Sequence, residues 1–391
     1  MPRPTATTRA VVVSFLMGAL WTVPAAAATP TPLDPALFSF PGAITAPASG
    51  ASAGLALADR WLADEPYANP AAAGGPHVSA SGTLLHLSRQ DLAAHNRNYD
   101  ETPAFFDGSS VAVGLPAFGR LGSTLYAHQS VLRLENNAFS RGRGTPDPAN
   151  PPAALETHAR ARELNAGLAL SVGVGKGRIG VGVEWTRRQD SYSTLERSGS
   201  PDAGTKRLEF TGNTVGFQAG ARLDRGDTLA GGLSVGLAVR YLPALRFDAS
   251  HSEVLLVGTL SETLSVERAS GWEIGGSGRY QVSPAFRALA AIGGRSEQRW
   301  EGFDLVAGRA WEWKVAGEFH DARDPWTLRF GIGQERQTAV PEPRADILSV
   351  GVGWRGESTT LDLGIAHRTL KRASAPNSFD DRLVVSVRTP L

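Results

Sequence analysis

"LNAGLALSVGVGKGRIGVGVEW", Leu164–Trp185, alternates on both sides of a short glycine-rich break. Leu164, Ala166, Leu168, Leu170, Val172 and Val174 stand between Asn165, Gly167, Ala169, Ser171 and Gly173. After Gly175-Lys-Gly177 the pattern resumes, with Ile179, Val181, Val183 and Trp185 spaced by Gly180, Gly182 and Glu184. A period of two sustained over such lengths predicts two long strands joined by a tight hairpin. The same pattern returns in Leu233–Tyr241, Leu348–Trp354 and Leu361–His367.

Two architectures bury strands of this kind. A soluble sandwich turns its apolar faces inward and uses strands of about five or six residues. A membrane barrel turns them outward to lipid over roughly ten residues, leaving small and polar residues to a lumen. The segments here are long, and their second face holds Gly, Ser, Arg and Glu. Aromatics gather near strand ends, at Trp185, Tyr241, Trp311, Trp326 and Trp354. These features predict an all-β chain: a closed antiparallel outer-membrane β-barrel of about fourteen strands, with both barrel termini periplasmic. Short links, such as Pro116–Ala117, Ser283–Pro284 and Gly356–Ser358, alternate with longer polar ones, including Asn136–Thr157 and Ala249–Arg268. The short ones are expected to be periplasmic turns and the long ones external loops.

The N-terminus divides into two parts. Arg3 and Arg9 precede the apolar run Ala10–Val23, and Ala25–Ala28 supplies small residues. That is the layout of a cleaved signal peptide, residues 1–28. Residues 29–76 are rich in Ala, Gly and Pro and carry helix-like spacing from Leu55 to Leu62. A lumen about fourteen strands wide needs filling, so this segment reads as a plug ahead of a barrel at 77–391. The net charge of +1 gives no reason to expect a nucleic-acid partner, and the absence of Cys excludes disulfides and thiolate chemistry.

Motifs for catalysis match only on paper. Gly175-Lys-Gly177-Arg-Ile-Gly180 fits a dinucleotide fingerprint, but strands flank it where a βαβ unit is required. Gly232-Leu-Ser234-Val-Gly236 fits a nucleophile elbow, yet alternation runs straight through it. The eight histidines show no zinc spacing. No enzyme, metal or cofactor is called for. Charges on the second face, among them Glu184, Arg222, Arg240, Arg279, Lys314 and Arg329, are expected to point into the lumen. There they brace the plug or neighbouring strands, or contact a ligand.

"ASGASAGLALADRWLADEPYANPAA" also resembles the N-terminal signature of the long-chain fatty-acid transporter family of outer-membrane barrels (FadL/TodX type). The plug-signature matches are Gly54, Ala56, Ala58, Asp59, Asn69, Pro70 and Ala71, with Arg60 where the family has a second acidic residue. "WTLRFGIGQERQTAVPEPRADILSVGVGWRGESTTLDLGIAHR", Trp326–Arg368, and "GLAVRYLPALRF", Gly236–Phe247, are similar to later strands of that family. The chain departs from it in ending Arg388-Thr-Pro-Leu391, without an aromatic residue, and in external loops that look short. The resemblance implies outer-membrane transport of long-chain fatty acids or hydrocarbons, with the plug shifting and the substrate leaving sideways at a kinked third strand. Gly119 and Gly122 mark that kink, and Arg222, Arg240 and Lys314 are candidate contacts for a carboxylate head group. The alternative is a non-transporting barrel that serves assembly, secretion or conjugation. Expected partners are a hydrophobic small molecule, outer-membrane lipid and lipopolysaccharide, and the barrel assembly machinery, with the barrel itself a monomer.

Overall fold

The computed structural model describes residues 49–90, 102–104, 108–136, 154–197, 204–225, 232–255, 258–301, 305–320, 325–338, 344–372 and 375–391. The proposed signal peptide and residues 29–48 of the proposed plug lie outside them. Long period-two segments form fourteen antiparallel staves, and His77 pairs with Pro390 to close the sheet on itself. We label them β1 (His77–Gln90), β2 (Thr102–Ala104 with Ser109–Gly114), β3 (Leu121–Asn136), β4 (Ala154–Val174), β5 (Gly177–Arg197) and β6 (Gly204–Arg225). Then follow β7 (Leu233–Leu242 with Leu245–Leu255), β8 (Gly258–Arg268 with Gly271–Ser283), β9 (Phe286–Arg295 with Gln298–Glu301) and β10 (Leu305–Ala307 with Ala310–His320). The wall ends with β11 (Trp326–Gln337), β12 (Arg344–Arg355), β13 (Thr360–Arg372) and β14 (Ala375–Pro390).

The hairpin read from the opening stretch is present: Val174 pairs with Gly177, and Gly175 takes φ 60°, a conformation glycine adopts without a Cβ penalty. One expectation is corrected. Ala249–Arg268 is not a long loop but the upper arms of β7 and β8, paired from Leu245↔Arg268 to Leu255↔Gly258.

Faces are inside out relative to a soluble protein. Val181 is 58% exposed, Leu237 56% and Ile274 61%, all on the outer surface. Ser171, Glu184, Gln218, Ser234, Lys314 and Ser349 are buried on the inner one. An outward apolar band on a closed barrel belongs in a bilayer, since closure leaves no backbone edge unsatisfied there. The protein is a membrane-spanning β-barrel.

The polarity reverses at one level. Staves β7 to β10 are each interrupted by two residues: Pro243–Ala244, Ala269–Ser270, Ser296–Glu297 and Gly308–Arg309. Below the breaks Leu237, Trp272, Ile274 and Ile292 face out. Above them Leu245, Phe247, Val266 and Trp300 are buried, whereas Arg246, Ser265 and Arg299 are exposed. Phe247 and Trp300 stack at 5.2 Å, and Phe210 of β6 meets both edge-on. The first three breaks each shift the alternation by one position, so the tips of β7 to β9 pack like a soluble sheet. Tyr241, Trp272 and Trp311 sit immediately below the breaks, with Tyr241 and Trp272 in ring contact at 4.7 Å. At the opposite rim Trp326 pairs with Trp354, and Tyr280 is also exposed. The step from Trp272 to Tyr280 on β8 is about 26 Å along the strand at ~3.3 Å per residue, and roughly 20 Å once tilted by ~40°. Two aromatic belts therefore bracket the lipid-facing band.

Candidate functional site

Residues 49–76 lie against the inner wall. Ser49 caps the one-turn helix α1 (Gly50–Gly54), accepting from Ser52 N at 3.2 Å. The helical spacing that ran on to Leu62 does not continue as a helix, because Ala56 and Leu57 take φ of 51° and 64°. Left-handed backbone at a residue with a side chain costs about 1–2 kcal/mol. It is held by the wall: Gly54 packs on Gly351, where an added Cβ would stand 2.8 Å from the Gly351 Cα, and Leu55 packs in the same way on Gly331. The chain then crosses the lumen. Trp61 N donates to Ser277 Oγ at 3.2 Å, and its ring and carbonyl occupy the space left by Gly275 and Gly236.

Asn69 is the centre of the next turn. Its Oδ1 accepts from Ala71 N at 3.0 Å, while Nδ2 donates to Trp61 O at 2.6 Å and to Ala221 O of β6 at 3.3 Å. It thus caps a single 3₁₀ turn, Pro70–Ala72, with Pro70 at the first position, where its missing N–H costs nothing. Pro70 packs on Gly180, Ala58 and Ala71 are fully buried, and Arg178 holds Ala73 O at 2.8 Å before β1 begins at His77. The inward glycines of the wall are therefore close-approach points for this segment.

The three cations read as ligand contacts are all engaged. Arg222 binds Asp64 at 2.7 Å and Asp224 at 2.8 Å. Arg240 pairs with Glu184, and Lys314, only 1% exposed, lies 2.9 Å from Glu312. Asp64 also pairs with Arg388 of β14, so one carboxylate joins the inner segment to both sides of the wall. Arg60, which departs from the family signature, is buried 2.8 Å from Glu273 of β8. A wall carboxylate at that place is satisfied by a cation where a second acid would be repelled. Nothing in the local sequence marks that pairing. Tyr67 was also missed. It packs on Tyr126 and His128, with ring centroids 6.1 and 4.8 Å away. Gln218 donates to Tyr126 Oη at 2.7 Å and to Pro66 O at 3.2 Å, tying the two layers together.

Gly119 belongs to the turn before β3, at φ 61°, and Gly122 makes room for Gly74 and Arg178. The register of β3 against β4 runs from Leu121↔Val172 to Asn136↔Thr157 without a shift. The irregular wall lies at β1 instead. Against β14 the register slips between Thr83 and Leu85. Against β2 it passes from Gly82↔Ser109 to His86↔Ala104, with Thr83 N bonded to Gly108 O at 2.8 Å and Gly108 at φ 95°.

On the turn side of the inner segment is a cavity of about 800 Å³, lined by Leu55, Asp59, Asp64, Arg329, Arg388 and neighbouring residues. Asp59 Oδ1 is buried with no hydrogen-bond partner among the described residues. Burial, and then the charge of Glu65, push the Asp59 carboxyl up from 3.8 to about 7. No cluster able to hold a metal ion occurs among the described residues.

No protein-family model and no curated protein matches the chain. Solved structures do. A Pseudomonas aeruginosa FadL homologue aligns over 89% of this chain and 99% of its own, with a TM-score of 0.64 and 12% identity. The P. putida toluene transporter TodX gives 89% and 99%, with a TM-score of 0.60 and 11% identity. The Ralstonia pickettii toluene transporter TbuX gives the same coverage, with a TM-score of 0.58 and 12% identity. The wall thus shares its fold with these structures along nearly its whole length, and a FadL-like outer-membrane barrel is the fold this chain adopts.

Proposed function

We propose that the protein carries hydrophobic small molecules, long-chain fatty acids or hydrocarbons, across the outer membrane, and that residues 29–76 are its movable plug. The observation that carries this reading is the inner segment itself. It crosses the lumen on side-chain and backbone hydrogen bonds to wall residues on both sides, from Gly50 N on Ser386 Oγ at 3.0 Å to Asn69 Nδ2 on Ala221 O. Few of its buried apolar groups belong to a core of its own, so it docks on the wall and does not fold alone. The similar structures include two toluene transporters, which supports the same substrate class. For a sideways exit, the double irregularity of β1 at Thr83–Leu85, opposite Gly108, is a better candidate than β3, whose ladder is continuous.

Deleting Leu33–Gly75 tests the plug: no stave is lost, so the barrel still inserts, but single-channel conductance and sensitivity to large antibiotics rise. A deletion as tight as the parent removes the plug from the proposal. Loss of growth on long-chain fatty acids or aromatic hydrocarbons after removal of the whole chain tests the transport. Unaltered growth favours the assembly, secretion or conjugation reading.

A further inference from the structure

The strongest unexplained feature lies at the level of the breaks. Arg268 ends the upper arm of β8 and Gln298 begins the upper arm of β9; they are 4% and 1% exposed. Among the described residues no acceptor meets the buried donors Arg268 Nε and Gln298 Nε2. Both line a small cavity, about 30 Å³, together with the cations Arg240 and Arg295 and the carboxylates Glu163 and Glu273.

The acids near it are already committed. Glu273 takes Arg60 at 2.8 Å, and Glu184 takes Arg240. Asp190 takes Arg188 at 2.8 Å, and Glu163 lies 4.0 Å from the same guanidinium. Among the described residues Arg268 has no carboxylate within ion-pair distance. A guanidinium removed from water without a counter-charge is costly, and a buried amide N–H without an acceptor adds roughly 1–3 kcal/mol. Other buried cations of the lumen, Arg60 and Lys314 among them, have an acid beside them. Geometry supplies space as well as charge. Gly216 lines the cavity without a side chain. A volume of about 30 Å³ is room for about two waters, at ~10–15 Å³ each on the same measure, so it suits a single halide ion or a carboxylate group and nothing bulkier.

We propose that Arg268 and Gln298, with the Arg295 guanidinium also lining the cavity, form a seat for a compact monovalent anionic group. A free halide ion and the carboxylate end of a small molecule share that chemistry. Phosphate is too large for the cavity. The seat lies where the lipid-facing wall meets the inward-packed tips, so its occupant neutralises the junction on which Trp300 and Phe247 rest. This inference does not depend on the transport reading, because it concerns binding and stability only.

The full chain, purified in a non-ionic detergent with gluconate as the only anion, is titrated with bromide and separately with acetate at constant ionic strength. The thermal unfolding midpoint is expected to rise and saturate. A response to bromide alone assigns the halide, and a stronger response to acetate assigns the carboxylate. Arg268→Gln should abolish the response. If that variant does not fold, Gln298→Glu serves, because its carboxylate sits beside Arg268 as a built-in anion. It should melt higher than wild type in gluconate and gain nothing from bromide. Anomalous scattering from bromide-soaked crystals should place an ion at Arg268 Nε. A wild-type chain indifferent to both anions, a linear rise with no saturation, or a Gln298→Glu chain that responds as wild type overturns the proposal.

Discussion

The wall below Tyr241 and Trp272 and the tips above them are made by the same staves, yet they obey opposite rules. On β8, Ile274 turns its side chain to the outside, whereas Val266, a few residues earlier, turns inward. Below the breaks the outer medium is lipid, so apolar groups gain nothing by turning in, and charges facing out are expelled. Above them the outer medium is water, and burying the aromatic cluster is favourable at about 25 cal/mol per Å². The two-residue interruptions let one strand satisfy both media. Membrane position is thus written into the phase of the alternation as well as into its amplitude.

The largest expected effect comes from breaking the tips. Trp300→Ala removes the ring that Phe210 and Phe247 pack on, at about 3–5 kcal/mol. The upper arms should become protease-sensitive while the wall keeps its heat-modifiable mobility on detergent gels. Simultaneous loss of both would mean that wall and tips are one cooperative unit. Next, arginine at Leu237, in the lipid band, should cost about 2–4 kcal/mol of folding free energy in vesicles, whereas arginine at Ser265, outward on the tip of β8, should cost almost nothing. Equal costs would erase the boundary drawn at the breaks.

The inner face is a third setting, neither lipid nor bulk water. Arginine at Gly236 or Gly351 is not the mild change that an open lumen implies, because Trp61 and Gly54 occupy those places. Asn69→Ala leaves Ala71 N and Trp61 O without their partner, at about 1–3 kcal/mol. Single-channel recordings should show brief openings while the barrel stays folded. The smallest effect is a pH dependence. Asp59 in the docked segment titrates near 7, against 3.8 for an exposed carboxyl, so docking holds a proton that the undocked chain releases. Its contribution is complete below about pH 4, falls as pH rises toward 7, and levels off beyond. Leak currents should run opposite to that course, lowest at acid pH and rising to a plateau above about 7, and Asp59→Asn should flatten the rise.

Much of this was legible in the chain because alternation is a local record of the two media on either side of a strand. Leu164–Trp185 alone specifies a hairpin and an outward apolar face, and the repeats of its pattern specify the closed sheet. The N-P-A of residues 69–71 likewise announces a capped turn, since Asn69 and Pro70 act on their own backbone. The helical spacing of Leu55–Leu62 misled. Its apolar residues meet a curved wall, and the positive φ of Ala56 and Leu57 follows that surface and not a helix axis. Which charge meets which was equally hidden. Arg60 finds Glu273, Asp64 finds Arg222 and Arg388, and Gly50 finds Ser386 across more than three hundred residues of chain. Residue type and spacing fix which side of a strand a group lies on. Only closure of the barrel brings staves far apart in sequence to one level, and so decides that Arg222, Arg240 and Lys314 are braced while Arg268 has, among the described residues, no carboxylate within ion-pair distance.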